Sequence, residues 1–164
     1  MLAIADVINY LSSNAVTFRV LTHPPAFSAG ELARVHHVGE RNVVRTELYK
    51  ADHRLAMAVF PSDRKVDLPA LVDALRAREI MRVDAWEQEH LFNGCDIGTA
   101  PPLGNLFGVL VVADASFEGG GPVVFRLCSH STSLLLDWRD YKHLVSPLVA
   151  QITMPVAQLV PEPN

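Results

Sequence analysis

A chain of 164 residues, 49% of them apolar and 20% charged, can bury one substantial core and has the balance of a globular domain. Its net charge of −4 excludes a generally basic surface of the kind that coats nucleic acid, and leaves Arg34 to Arg45 and Arg64-Lys65 as the dense cationic stretches. The two cysteines, Cys95 and Cys128, have no CxxC spacing; that pattern predicts neither a disulfide framework nor a zinc site and fits a reducing cytosol.

The N-terminal segment MLAIADVINYLSS has no basic leader and carries Asp6 within its apolar face, which argues against a signal peptide. Nowhere does the chain approach the run of roughly 18 apolar residues that a membrane span needs. Ile4, Val7, Ile8 and Leu11 recur at helical spacing, so the first element is a short amphipathic helix ended by Ser12-Ser13-Asn14. Residues 15–21 read as a strand, broken by His23-Pro24-Pro25. Ser28 to Glu31 forms a capping box, opening a helix to about His37. Residues 42–49 and 54–60 are two apolar-rich runs joined by Lys50 to His53, an antiparallel hairpin in which the pleat fixes the direction of Arg45.

Asp67 with Pro69 starts a helix to about Arg78, Ile80 to Val83 is a short strand, and Asp84 starts a helix through Phe92. Gly98 to Gly108 contains three glycines and two adjacent prolines, a stiff turn whose remaining amides can point at something held close to the main chain. Strands are expected at Val109 to Ala113, Pro122 to Leu127, Leu134 to Leu136 and Val149 to Thr153, with a last helix capped by Asp137. The mixture predicts an α+β (mixed α/β) domain over residues 1–153, built on a single twisted, mostly antiparallel mixed sheet with surrounding helices. Residues 154–164 form a proline-rich tail expected to fray.

Most familiar catalytic signatures are missing. There is no HExxH or other His/Asp cluster, no GxSxG elbow and no P-loop, and Gly119-Gly120-Gly121 lacks the Lys-Ser/Thr that phosphate cradling requires. No metal and no cofactor is therefore expected. Cys128 beside Ser129 and His130 suggests a nucleophile–base pair, but adjacent residues of a strand face opposite ways, which favours Cys128 as a small buried apolar residue.

The ordered series His23-Pro24-Pro25-Ala26-Phe27-Ser28-Ala29, Val43 to Thr46, Ala56 to Val59, Arg64 to Leu68, Gly98 to Gly108 and Cys128-Ser129-His130 resembles the YbaK-type aminoacyl-tRNA deacylase family. That family is related to the editing domain inserted in bacterial prolyl-tRNA synthetases, and the resemblance spans about residues 1–153. It implies a cytoplasmic trans-editing hydrolase that cleaves the ester of a tRNA mischarged with a small amino acid. Its partner is then the aminoacyl-tRNA acceptor end, met alone or while docked on a synthetase, with no membrane and no metal.

The resemblance also assigns residues. Gly98, Pro101, Pro102 and Gly104 match the GxxPPxG segment, where stiff main-chain donors suit an oxyanion site. Arg45 stands where the family has lysine, and Thr46 follows it; guanidinium keeps the charge and grips phosphate bidentately but cannot give up a proton. Ser129 and His130 match a Ser/Thr-His pair, with His130 able to orient a water or to bond the substrate amine. Cys128 replaces a family glycine and is expected to narrow the site or reshape which amino acid fits. His23, Phe27 and Ser28 match a segment that walls the amino-acid pocket, although Ser28 also has an adequate structural explanation as a helix cap. The Arg45 and Cys128 exchanges keep an alternative open: a tRNA- or small-ligand-binding module that retained the cleft and lost turnover.

Overall fold

Helices and strands begin and end where local chemistry directs in the computed structural model, which describes residues 4–156. In chain order the elements are α1 (Ile4–Ser13), β1 (Phe18–Thr22), α2 (Ala29–His36), β2 (Val44–Ala51), β3 (Arg54–Pro61), β4 (Arg64–Val66), α3 (Leu68–Leu75) and β5 (Ile80–Arg82). There follow α4 (Ala85–Leu91), β6 (Leu110–Asp114), β7 (Pro122–Ser129), β8 (Thr132–Asp137), α5 (Trp138–Val145), β9 (Leu148–Ala150) and β10 (Thr153–Pro155). The Ser28 hydroxyl accepts the Glu31 amide at 3.1 Å, and the carboxylates of Asp67, Asp84 and Asp137 accept the amides of Ala70, Glu87 and Arg139. Four helices thus start on the oxygen-bearing side chains that satisfy their first orphan amides.

The α+β class is as expected, but the expected single sheet is divided. β5-β2-β3-β6-β9 form one mixed sheet, β1-β8-β7 an antiparallel one, and β10-β4 a two-stranded ribbon. A lone parallel bridge between Val43 and Val124 joins the first two. Alternation along β2 explains the layering. Val44 and Leu48 point into a core shared with Phe125, Leu127, Leu134, Leu136 and Trp138, which the two larger sheets enclose with α1 and α5. Tyr49 and Ala51 point the other way, with Phe60 and Val112, against Leu71 and Leu75 of α3. α2 covers the outer face of the smaller sheet through Leu32 and Ala33.

Two further expectations are corrected. The run expected as one strand from Val149 to Thr153 is two, because Ile152 spends its main-chain groups elsewhere. Its N–H donates to the buried Asp114 carboxylate at 3.0 Å and its C=O accepts from Asp67 at 2.8 Å. The second of these strands then continues to Pro155, past the expected start of the tail; residues 157–164 lie outside the described residues. The two cysteines, expected to stay apart, form a disulfide across 33 positions. Spacing hid it because the turn after α4 and the irregular end of β7 meet only in the folded chain.

Candidate active site

β2 is covered along only part of its outer edge. β5 pairs with Tyr49, Lys50 and Ala51, and one more bond runs from the Val83 amide to the Leu48 carbonyl. The chain then turns into α4 at its cap, Asp84. Because successive residues of a strand present their main-chain groups to alternate sides, Thr46 directs its N–H and C=O to the same edge as Leu48, where no strand follows. The space left open is a cleft of about 510 Å³. Its floor is Val44 to Glu47, one wall is Arg82 to Ala85 with Gln88, and the other is Ile97, Gly98, Ala100 and Pro102 with Phe125 and Arg126 of β7.

Charge is concentrated there. The Arg45 guanidinium is exposed and lies 5.8 Å from the ring centroid of Phe60, its cross-strand partner, which steadies a cation that still faces solvent. Arg126 is half-buried and donates to the Ala26 carbonyl at 3.3 Å. Burial, and then the charge of Arg45, push its pKa down. Two guanidiniums that repel one another across one cleft make a place where an anion is favourable. Arg82 is engaged with Glu47 at 3.6 Å, and Glu47 also accepts the Tyr49 hydroxyl. Burial and that bond hold the Tyr49 phenol well above the ordinary tyrosine range, so it remains a neutral donor that fixes Glu47.

Arg45, Thr46, Gly98 and Pro102 therefore come together on one cleft. Gly98 has a φ of +80°, a conformation that glycine adopts freely, and the Pro102 carbonyl is held by the buried Tyr141 hydroxyl. Pro101 and Gly104 are buried behind the cleft and do not line it. At Gly104 an added Cβ would stand 2.7 Å from Val111 Cγ2 and 3.0 Å from the Val109 carbonyl oxygen, so glycine there permits close packing of the turn onto β6.

The remaining candidates form a neighbouring cluster outside the lining. The His130 ring lies 4.7 Å from that of Phe27, which is exposed, while His130 Nδ1 is buried with no hydrogen-bond partner among the described residues. Ser129 Oγ accepts the Ser131 amide, closing the β7–β8 turn. Ser28 caps α2. His23 bonds inward: Nδ1 lies 2.9 Å from the Pro24 carbonyl oxygen and Nε2 lies 2.9 Å from Ser133 Oγ, which also meets His36 Nε2. A carbonyl only accepts, so a neutral His23 carries its proton on Nδ1 and accepts from Ser133, which in turn accepts from His36. Cys128 does not line the cleft, and its side chain is committed to Cys95. The cluster touches the cleft through Arg126, whose guanidinium grips Ala26, next to Phe27.

Sequence reading missed Arg126, Arg82, Asp84 and Gln88. Arg126 had one visible sign, a lone cation between Phe125 and Leu127 in an apolar strand. Arg82 and the α4 residues had none, since nothing local says which strand edge they border. Among the described residues no group of three or more His, Cys, Asp or Glu side chains is placed to hold a metal ion. None of the described helices is long and apolar enough to cross a membrane.

A family model described as an aminoacyl-tRNA editing domain matches residues 23–144. Among solved structures, the chain is similar to the hypothetical protein APE2540 at 19% identity and TM-score 0.81, over 90% of this chain and 99% of that one. It is similar to a proposed trans-editing enzyme for prolyl-tRNA synthetase at 16% identity and TM-score 0.82, over 94% of this chain and 99% of the other. A proposed signal transduction protein from Marinobacter aquaeolei VT8 shares the fold at 18% identity and TM-score 0.77, with the whole of this chain covering 33% of that one. Comparison with curated proteins gave no match. At these identities the structural likenesses establish the fold, and they agree with the YbaK-like architecture expected above.

Proposed function

Because the chain belongs to the aminoacyl-tRNA editing domain family, we propose that it is a deacylase that hydrolyses the ester of a tRNA mischarged with a small amino acid, acting in the cytoplasm. The observation that carries this reading is the convergence of Arg45, Arg126 and the Gly98–Pro102 turn on one cleft. An aminoacyl ester is already labile, so the protein's work is to position it, admit a water and stabilise charge on the carbonyl oxygen, with no cofactor needed. Arg45 and Arg126 hold the acceptor phosphate between them. Main-chain donors of the Gly98 turn receive the developing oxyanion, and the free edge at Thr46 accepts from the substrate amine. His130, Phe27 and His23 shape the neighbouring wall instead of touching the reacting atoms, so His130→Ala is expected to keep kcat within about threefold.

The test is deacylation of tRNAs charged with Ala, Ser, Cys and Thr, with an active relative run in parallel. Turnover of at least one is expected; none across the panel, with the relative active, overturns the reading. The binding-module alternative draws on Arg45, which cannot give up a proton as lysine can. If the parent binds without turnover and Arg45→Lys switches on hydrolysis, the alternative holds. Whether the chain acts alone or docked on a synthetase is read from turnover with and without the synthetase.

A further inference from the structure

The disulfide joins two segments that line the cleft, while neither cysteine lines it itself. Cys128 follows Arg126 by two residues, at the irregularity of the β7–β8 pairing, with a φ of +59°. Cys95 sits in the turn after α4, its N–H on the Phe92 carbonyl. Two main-chain bonds flank the cross-link: Asp96 N–H donates to the Cys128 carbonyl at 3.1 Å, and Cys128 N–H donates to the Thr99 carbonyl at 2.9 Å. Together they fasten residues 96–99 to the strand that carries Phe125 and Arg126. Ile97 and Gly98, which line the cleft, lie inside the fastened segment. The cross-link therefore sets the separation between the turn and the Arg126 wall.

We propose that Cys95 and Cys128 form a redox-set positioning clamp. Oxidised, it holds the Gly98 turn in register with Arg126; reduced, it leaves the turn on hydrogen bonds alone and loosens the hold of its main-chain donors on the reacting ester of the substrate. The substrate named here rests on the deacylase reading. Closing the clamp takes a two-electron oxidant such as a peroxide: two thiols and one hydrogen peroxide give one disulfide and two waters. Opening it takes a dithiol. Its thiolate attacks Cys95 Sγ, Cys128 leaves as thiolate and takes up a proton, and the second reductant thiol closes its own disulfide and frees Cys95. Cys95 is the sulfur within reach, because it is half-buried beside a small surface depression with Gln88 and Asp96, whereas Cys128 is only 6% exposed. In a reducing compartment such a bond is transient and regulatory, which suits a clamp better than a permanent staple.

The experiment compares the full chain oxidised with peroxide and reduced with dithiothreitol, each state verified by the mass of two hydrogens. KM and kcat are measured on a mischarged tRNA, and amide exchange is followed over residues 96–99. Reduction is expected to lower kcat about tenfold with KM within about twofold, to speed exchange at those amides, and to be reversed by peroxide. Cys95→Ser is expected to stay at the reduced values in either reagent. Cys128→Gly, which suits the left-handed φ, guards against misfolding of the first variant. Unchanged kcat and exchange after complete reduction overturn the clamp, as does reduction that abolishes the cooperative melt, since the bond is then a staple of the fold. A parent with no turnover whose exchange at 96–99 still answers to reduction removes the deacylase reading and leaves the clamp. Turnover that ignores reduction does the reverse.

Discussion

Arg45 and Arg126 occupy one cleft but are held differently. Arg45 is exposed over Phe60, whereas Arg126 is half-buried and anchored to Ala26. Arg45→Ala should therefore weaken tRNA binding about tenfold and lower the salt slope of log K by about 0.7, while Arg45→Lys keeps both; binding isotherms across a salt series decide it. Gly104→Ala should cost about 2 kcal/mol in urea unfolding, because the new Cβ meets Val111 and the Val109 carbonyl, and backbone cannot move aside as a side-chain tip can. At this scale the sequence revealed whatever had a local cause: the glycine and proline turn, the fixed direction of Arg45, the cap at Ser28. It concealed Arg126, which folding brings within electrostatic reach of Arg45, 81 positions away in the sequence. His130 was singled out for a local reason. Its motif is local, but the turn that carries it points the ring at Phe27.

Among the elements, α4 has the most to do with the shape of the site. Its residues Ala85 and Gln88 face the cleft, and the Asp84 carboxylate holds its first turn through the Glu87 amide at 2.9 Å. Asp84→Ala should lower stability by about 1 kcal/mol, measured by denaturant unfolding, with Asp84→Asn close to the parent because it caps as well. Helix starts and the β2–β3 hairpin were legible because each is decided within a few residues. The division of the sheet was not. Which strands pair is settled by faces that meet only after folding, and β3 with β6 is a parallel pair across a long crossover. The disulfide escaped for the same reason.

For the molecule as a whole, acidity and pH pull on the fold through one buried imidazole. His36 is 7% exposed, and its pKa is lowered to about 4, first by burial and then by the charges of His23, Arg19 and His37. Below the ordinary histidine value near 6.5 the unfolded chain takes up this proton and the folded chain does not. Stability should thus be full above about pH 6.5 and fall as the pH is lowered towards 4, by on the order of 3 kcal/mol. Urea midpoints across that range test it, and His36→Gln should flatten the slope. The net charge of −4 predicts a poor nucleic-acid binder, whereas folding gathers Arg45, Arg82 and Arg126 on one cleft.

The shortness of β5 has a consequence of its own. Three residues of it pair with β2 before Asp84 bends the chain into a helix. Had residues 84–86 stayed extended, they would have zipped along Glu47, Thr46 and Arg45, and the doorway would be a continuous ladder. The hollow is an interruption in a sheet, kept ajar by one carboxylate's preference for starting a helix. β-branched residues at positions 84–86 would tilt that preference towards strand and shut the door, leaving Arg45, Gly98 and Arg126 in place with nothing able to enter between them.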